Sequence, residues 1–243
     1  MNLAAFYPEM EVGGFPRDNG GVQFFTRVNA LLTPEMTVVD LGAGRGNIFH
    51  ARPDGYYERL ARLQGKVRRV IGIDVDEGIQ DHPFLDERHV VDVTAPLPVA
   101  DESIDLVVAD WVLEHVADPA GLSAEIGRIL KPGGWFCART PNRWGYVGIG
   151  TRLIPNALHV RLLQRLSPGR NEIDVFPTCY RLNSRRDVKR YFPSNTWNNY
   201  SYFFNPTPKY MGRSALLFRG ISLYQAMMPD DLKTDLLIFL QKR

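Results

Sequence analysis

A regular alternation of short apolar runs with amphipathic stretches restricts the fold of this chain more than any other feature. Five runs are rich in β-branched residues and are bounded by Gly, Pro or Asp, which is typical of buried parallel strands. These runs are MTVVDL (36–41), VRRVIGID (67–74), RHVVDV (88–93), IDLVVAD (104–110) and WFCART (135–140). Residues 47–64 and 119–130 carry apolar positions at helical spacing. The order strand, helix, strand predicts an α/β fold with a doubly wound, mostly parallel sheet and helices on both faces.

The second half of the chain predicts a loop-rich insertion and further elements of the same sheet. Residues 141–182 are rich in loop-forming residues, with one helix expected over 156–166. Ser184 and Asp187 form the capping-box pattern of a short helix that reaches Phe192. Two more strands bring the expected sheet to seven, and we place the last of them at its edge. The predicted strand, helix and final strand are 197–204, 213–227 and 235–240.

Composition points to one folded domain in a reducing compartment. With 243 residues, 44% of them hydrophobic and 23% charged, the chain can bury a full core, so we expect a single domain over 1–243. Cys137 and Cys179 form no C-x-x-C pair, which argues against a disulfide framework or a cysteine-based zinc site. No apolar run approaches the ~20 residues of a membrane-spanning helix, and Glu9 and Glu11 stand where a signal peptide is basic. We therefore expect a soluble, cytoplasmic protein.

The segment DLGAGRG (40–46) follows a predicted strand and opens a predicted helix. Glycines let the backbone turn tightly and approach a ligand, and a helix N-terminus presents free N–H groups to a negative group. Dinucleotide-binding enzymes use a similar turn, but Asn47 stands where the third glycine of G-x-G-x-x-G belongs. An acid, Asp40, also stands two residues before the first glycine. Both departures disfavour NAD as the ligand.

This segment resembles the (D/E)-x-G-x-G-x-G motif of the class I S-adenosylmethionine-dependent methyltransferases. A second passage, DWVLEHV (110–116) followed by RILKPGG (128–134), is similar to the pattern L-E-H-V-x-D-P and R-x-L-K-P-G-G of the type 11 group, which contains ubiquinone-pathway O-methyltransferases. The resemblance implies a Rossmann-like methyltransferase fold with S-adenosyl-L-methionine as its cofactor. It also implies an N-terminal lid, a cofactor-binding core, an acceptor-side insertion and C-terminal strands and helices, at 1–35, 36–140, 141–182 and 183–243.

The resemblance also assigns the residues that would hold the cofactor. Asp74, at the end of the second strand, is expected to bind both ribose hydroxyls because a carboxylate only accepts hydrogen bonds, and Asp76 on the same face is an alternative. Asp92 is expected to accept from the adenine amino group and the Val93 N–H to meet a ring nitrogen, although Asp92 also fits a turn-forming acid at a strand end. The expected cofactor-binding residues are Asp40, Gly42, Ala43, Gly44, Gly46, Asp74, Asp92, Val93, Asp110 and Trp111.

His115 is the candidate catalytic base. Methyl transfer from a sulfonium mainly needs alignment of acceptor, methyl and sulfur, but a hydroxyl acceptor must also lose a proton. The ordinary pKa of histidine, ~6.5, suits a proton acceptor near neutrality; alternatively, His115 and Glu114 only brace the helix below the cofactor. Trp111 occupies the position at which some related enzymes carry a metal-binding glutamate, so we expect no metal. We expect Trp111 to contact the adenine or the acceptor, or to be an ordinary core residue.

Two further segments are expected beside the site. TPNR (140–143) resembles the family's T-x-N-R stretch at the acceptor pocket and is not the N-P-P-Y motif of amide and amine methylases, which favours an oxygen acceptor. The N-terminal segment resembles a lid over the cofactor and carries Phe15, Arg17, Phe24 and Phe25. Arg17 either meets the carboxylate of the cofactor or lies on a solvated surface.

Charge is divided unequally along the chain. Residues 1–130 hold 11 Lys and Arg and 21 Asp and Glu, whereas residues 131–243 hold 18 and 6, so that the net charge is only +2. The basic half contains a cluster of Arg181, Arg185, Arg186, Lys189 and Arg190. Three interpretations of this cluster remain open. It is a solvated helix face, or a binding surface for an anionic acceptor such as a phosphate-bearing or lipid-linked sugar, or a peripheral contact with an anionic membrane.

The sequence therefore predicts an enzyme, an S-adenosylmethionine-dependent O-methyltransferase that acts on a small molecule or a glycan precursor. One alternative is a methyltransferase-like scaffold that binds the cofactor or a partner without turnover. A second is an RNA methyltransferase, but no interleaved basic and aromatic stretch supports RNA binding, and we expect no DNA partner. The oligomeric state does not follow from the sequence.

Overall fold

One mixed sheet forms the centre of the molecule, which a computed structural model describes over residues 3–51, 55–92, 95–153, 177–208 and 214–243. Its strands are β1 Thr37–Leu41, β2 Arg69–Asp74, β3 Glu87–Val90, β4 Ile104–Asp110, β5 Leu130–Pro141, β6 Trp197–Asn199, β7 Tyr202–Phe204 and β8 Asp235–Lys242. The order is β3-β2-β1-β4-β5-β8-β6, and β7 also pairs with β8. Strands β1 to β5 are parallel, and β8 is antiparallel to all its neighbours. The expected α/β, mostly parallel sheet is confirmed.

Within the described ranges, no helix is long and apolar enough to cross a membrane. Helices cover both faces of the sheet. They are α1 Gly20–Leu31, α2 Asn47–Ala51, α3 Tyr56–Ala61, α4 Pro119–Ile129, α5 Tyr146–Leu153, α6 Arg185–Tyr191 and α7 Ala215–Met227. Asp118 begins α4 by accepting hydrogen bonds from the N–H groups of Ala120 and Gly121. Ser184 accepts from the Asp187 N–H at the start of α6 and donates to the Asp187 carboxylate at 2.6 Å. The helix start predicted from these two residues is therefore present, and the Asp187 carboxylate bonds to the Ser184 hydroxyl.

Apolar side chains pack in two layers, one on each face of the sheet. Successive residues of β1 divide between them, because neighbouring side chains of a strand point to opposite faces. Val38 lies in the layer with Phe24 of α1, and Val39 lies in the layer with Ile126 of α4 and Val188 of α6. Burial of each such side chain contributes about 1.5–3 kcal/mol. The two layers thus hold the carboxyl ends of the parallel strands at one edge of the sheet.

The final strand lies inside the sheet, so the edge position expected for 235–240 is wrong. Strand β8 pairs with β5 on one side and with β6 and β7 on the other. Every residue from Asp235 to Leu240 is buried, which is what an uninterrupted apolar run covered on both faces should show.

Two other predicted elements are interrupted. The strand expected over 197–204 is divided into β6 and β7, which pair with β8 in the same register. Between β6 and β7, the Phe239 N–H of β8 donates to the Ser201 hydroxyl instead of to a backbone carbonyl. Over the described part of the chain the sheet therefore has eight strands rather than seven. The helix expected over 47–64 is present as α2 and α3. The helix expected over 156–166 lies outside the described residues.

Candidate cofactor and acceptor site

Glycines shape the turn after β1, at the edge where the parallel strands end. Gly42 and Gly44 have φ angles of 70° and 56°, the left-handed region that favours glycine. A Cβ atom on Gly42 would lie 2.4 Å from Cγ2 of Val112, so no side chain fits there. A Cβ atom on Gly44 would meet nothing within 4 Å. The turn therefore packs closely against the segment after β4 and leaves open space beside Gly44 for a ligand.

The carboxylate of Asp74 joins this turn to the turn after β2. One oxygen accepts from the N–H of Gly44 at 2.8 Å, and the other accepts from the N–H of Asp76 at 2.9 Å. Each oxygen keeps a lone pair, so the carboxylate can accept further hydrogen bonds from a diol. Asp76 accepts from the Gly78 N–H at 2.6 Å and pairs with Arg45 at 3.2 Å. The geometry therefore favours Asp74 over Asp76 as the acid that faces a ligand.

Three acids lie at the ends of adjacent strands, Asp40 in β1, Asp74 in β2 and Asp110 in β4. Burial of its carboxyl group, together with the charges of Asp110 and Asp74, raises the pKa of Asp40 to about 7. Among the described residues, no group of three His, Cys, Asp or Glu side chains is placed to hold a metal ion. A ligand that is positively charged or donates hydrogen bonds would relieve the repulsion between these acids.

Arg139 in β5 neutralises one of these acids from within the core. Its Nε and Nη2 each donate to one carboxylate oxygen of Asp110 at 2.7 Å, and Nη2 also donates to the Tyr57 hydroxyl at 3.3 Å. Burial lowers the pKa of this guanidinium, but the charge and hydrogen bonds of Asp110, together with the charges of Tyr57 and Asp235, outweigh burial and the pKa is raised. Sequence reasoning did not single out Arg139, although a charged residue inside the apolar run WFCART needs a buried partner. The pair fixes the ends of β4 and β5 to each other.

Trp111 follows β4 with a φ angle of 61°, which is rare for a bulky residue. The backbone N–H of Trp111 donates to the backbone carbonyl of Arg139 at 2.9 Å. The guanidinium carbon of Arg139 lies 5.1 Å from the centre of the Trp111 ring. Strained backbone of this kind persists where the surrounding structure imposes it, and it is concentrated at functional sites. The two contacts hold the indole beside the strand ends.

Glu114 and His115 form an acid–imidazole pair in the 3-10 turn Leu113–His115 after β4. Glu114 is 5% exposed, and burial raises the pKa of its carboxyl group to about 7, although the Thr140 hydroxyl donates to it at 3.0 Å. His115 Nδ1 lies 2.9 Å from the Pro177 carbonyl oxygen, so the proton is assigned to Nδ1. Nε2 then presents a lone pair 4.0 Å from a Glu114 oxygen. The Glu114 carboxyl group can therefore hold or release a proton near neutral pH beside this imidazole.

Comparison with known proteins identifies the core of the chain. A "Probable S-adenosylmethionine-dependent methyltransferase" of Mycolicibacterium smegmatis is 36% identical over 137 residues, which are 46% of this chain and 52% of that protein. Residues 39–138 match the type 11 family, described as a methyltransferase domain. Residues 39–138 of this chain therefore match a class I methyltransferase domain of type 11. S-Adenosyl-L-methionine is the cofactor of that family.

Two more proteins are similar to this chain. The ubiquinone biosynthesis O-methyltransferase of Hydrogenovibrio crunogenus is 30% identical over 115 residues, 44% of this chain and 43% of that protein. The structure of geranyl diphosphate C-methyltransferase from Streptomyces coelicolor A3(2) has the same fold, with 16% identity, a TM-score of 0.54 and coverage of 91% of this chain and 79% of that one. The chain spans about half the length of the curated relatives it matches. Because these enzymes methylate different atoms, the family does not fix the methylated atom.

The residues of the methyltransferase domain fit S-adenosylmethionine. The open space beside Gly44 adjoins Asp74, whose carboxylate keeps lone pairs for ribose hydroxyls. The acids at the strand ends complement the positive charge of a sulfonium. Asp92 is exposed two residues after β3, and Val93 lies outside the described residues.

The segment 140–143 lies at the end of β5, beside the acid–imidazole pair. Asn142 is fully buried and donates to the backbone carbonyls of Asp231 and Lys233, both at 2.8 Å, which ties the end of β5 to the segment before β8. Thr140 is also buried, and it donates to Glu114 while accepting from Asn183 at 2.6 Å. Thr140 therefore belongs to the acid–imidazole site, whereas Asn142 fixes the backbone beside it.

The N-terminal residues expected in a lid lie in three different surroundings. Phe24 and Phe25 are buried in α1, where they pack against the sheet. Phe15 stacks on a tyrosine of α3 with 5.0 Å between ring centres. The Arg17 side chain is 73% exposed and lies 3.7 Å from the Glu9 carboxylate. The structure thus places Phe24 and Phe25 in the core rather than in a movable cover.

Proposed function

We propose that this protein is an S-adenosylmethionine-dependent methyltransferase that acts on an oxygen atom of an anionic small-molecule, glycan or lipid-linked acceptor. The observation that carries this proposal is that a carboxylate suited to a ribose and an acid–imidazole pair lie at the same edge of the sheet. The Asp74 carboxylate bridges the two turns that would surround a ribose. The Glu114–His115 pair can take a proton from an acceptor. The excess of basic residues after residue 130 supports a negatively charged acceptor.

The proposed cofactor contacts follow the strand ends. Asp74 accepts from both ribose hydroxyls, Asp92 and Val93 meet the adenine, and the Trp111 indole lies against the cofactor or the acceptor. The backbone of the glycine turn approaches the cofactor closely because it carries little side-chain bulk. Asp110 is held by Arg139 and contributes its charge and its position. The turn residues in this proposal are Asp40, Gly42, Ala43, Gly44 and Gly46.

Positioning and one proton transfer are the tasks left to the protein. When bound, S-adenosylmethionine supplies a methyl group that its sulfonium charge already activates. Alignment of the acceptor by the site can contribute roughly 7–11 kcal/mol. In the proposal, His115 Nε2 accepts the hydroxyl proton and the Glu114 carboxylate, 4.0 Å away, stabilises the resulting imidazolium. A base at this position supports an oxygen acceptor, since a hydroxyl must lose its proton.

Calorimetry with S-adenosylhomocysteine, the demethylated product, tests the cofactor site. The wild-type protein should bind it, and Asp74→Asn should weaken binding roughly tenfold or more because one acceptor oxygen becomes a donor. Asp76→Asn is the matched control and should change the affinity little. A folded wild-type protein that binds neither S-adenosylmethionine nor its product would refute the proposal.

Turnover is tested with methyl-labelled donor and fractionated cell extract. Labelled product should appear with the wild-type protein and decrease strongly with His115→Gln. Mass spectrometry of the product then shows whether oxygen carries the methyl group. If the cofactor binds but no fraction is ever labelled, the chain is a cofactor-binding scaffold without turnover.

A further inference from the structure

Two clefts meet beside α6, on the acceptor side of the proposed enzyme. Their volumes are about 420 and 510 Å³, and both are lined by Arg185, Lys189 and Phe203. The first cleft extends over Val188 and Leu236. Because the two clefts share three side chains, we treat them as one groove, called here the α6 groove.

The α6 groove combines an apolar floor with a cationic rim. Its floor includes Val188, Phe203 and Leu236, which are all buried core side chains. Its rim carries Arg186 and Lys189, which are exposed, and across the described ranges neither of them pairs with a carboxylate. An amphipathic anion matches this arrangement, because unpaired cations gain charge-assisted hydrogen bonds and the apolar floor is removed from water.

One opposing charge lies in the groove. Asp231 lines it and pairs with Arg185 at 3.0 Å, and the Arg185 guanidinium carbon lies 5.1 Å from the centre of the Phe203 ring. Arg185 is therefore largely neutralised and fixed between the two clefts. Arg186 and Lys189 leave the groove with a net positive charge.

The register of the sheet connects this groove to the acid–imidazole pair. Thr140 in β5 lies opposite Leu236 in β8, and Leu236 lies opposite Phe203 in β7. Directly opposed residues project from the same face, and neighbouring strands are ~4.8 Å apart, so Thr140 is about 5 Å from Leu236 and about 10 Å from Phe203. The Thr140 hydroxyl contacts Glu114. The groove floor and the acid–imidazole pair therefore lie on the same face of the sheet, with Thr140 next to both.

We propose that the α6 groove binds the phosphate and the adjoining apolar chain of an amphipathic acceptor. The phosphate lies between Arg186 and Lys189, and the chain lies over Phe203 and Leu236. The hydroxyl to be methylated then lies at the end of the groove nearest the Glu114–His115 pair, where Leu236 is opposite Thr140. This inference rests on the proposed methyltransferase function and specifies the acceptor as a phosphate monoester or diester of an apolar chain.

Calorimetry with dodecyl phosphate, kept below its micelle concentration, tests the groove in the full chain. The wild-type protein should bind dodecyl phosphate more tightly than inorganic phosphate or dodecyl maltoside. The double variant Arg186→Gln, Lys189→Gln should lose at least roughly tenfold in affinity, because two charge-assisted contacts are removed. Arg190→Gln is the matched control, since Arg190 lies on the same helix over the Tyr191 ring and lines neither cleft.

Several results would overturn the inference. An equal loss in Arg190→Gln would show a general charge effect, and equal binding of inorganic phosphate would show that the apolar floor contributes nothing. Binding to vesicles of anionic lipid without binding to dodecyl phosphate would assign the cations to a membrane surface. S-Adenosylhomocysteine affinity is measured in parallel and should be the same in all variants. If the wild type does not bind S-adenosylhomocysteine, the proposed function is refuted. If the wild type binds S-adenosylhomocysteine but not dodecyl phosphate, only the proposed ligand of the α6 groove is refuted.

Discussion

Replacement of Glu114 by glutamine should stabilise the folded protein at alkaline pH. Glu114 is 5% exposed, and burial raises the pKa of its carboxyl group from 4.5 to about 7. Between these two values the unfolded chain releases the proton before the folded protein does. The stability of the wild type therefore falls as the pH rises through this window, and it is steady above it. Glu114→Gln keeps the side-chain shape and does not titrate.

The size of the effect follows from the interval between the two pKa values. An interval from 4.5 to about 7 corresponds to ~3 kcal/mol, at ~1.36 kcal/mol for each pKa unit. Relative to the wild type, Glu114→Gln should gain about 3 kcal/mol at pH ~8.5 and only about 1 kcal/mol at pH ~5. A constant offset from altered hydrogen bonds with Thr140 adds equally at both pH values. The change of about 2 kcal/mol between the two pH values is therefore the quantity to measure.

Urea denaturation of the wild type and Glu114→Gln at both pH values measures this change. Glu11→Gln, which alters an exposed glutamate, is the control and should show no pH-dependent difference from the wild type. The reasoning fails if the free-energy difference between the wild type and Glu114→Gln is the same at pH ~5 and pH ~8.5, or grows in the opposite direction.

Three other substitutions test the remaining assignments. His115→Gln should lower kcat at least roughly tenfold without changing S-adenosylmethionine affinity, and a full-rate variant in a methyl-transfer assay would return His115 to a structural role. Arg139→Gln should cost about 3–5 kcal/mol in urea denaturation because it leaves the Asp110 carboxylate without its buried partner. Adding Asp110→Asn should recover most of that loss, and no recovery would contradict the pairing. Gly42→Ala should destabilise the turn by at least about 1 kcal/mol, since it combines a φ angle of 70° with a clash against Val112, and unchanged thermal unfolding would refute that packing.

Local patterns were sufficient for much of the fold. The apolar runs predicted β1 to β5 within a few residues, with β5 starting earlier, and the Ser184–Asp187 pattern marked the start of α6 correctly. These features depend on residues close together in the chain, namely side-chain periodicity and the hydrogen bonds of a helix end. The glycine turn was recognisable for the same reason, because positive φ angles at Gly42 and Gly44 are a local requirement.

Contacts between distant residues could not be read in the same way. Arg139 meets Asp110 and Tyr57 because β4 and β5 are neighbours and α3 covers them, and nothing near Arg139 in the sequence marks these partners. The interior position of β8 was missed because five apolar residues in a row, 236–240, show that a strand is covered on both faces but not which strands lie beside it.

The amino-acid sequence was enough to predict the α/β architecture, the glycine turn and the acids at and after the strand ends. The packing of distant elements determines which of these acids joins two turns, which is buried with a raised pKa, and which is neutralised by an arginine. Asp74 bridges two turns, Glu114 is buried beneath Thr140, and Asp110 is paired with Arg139. The physical reason is that side-chain period and turn geometry are local properties, whereas desolvation and charge pairing depend on every element packed around a group.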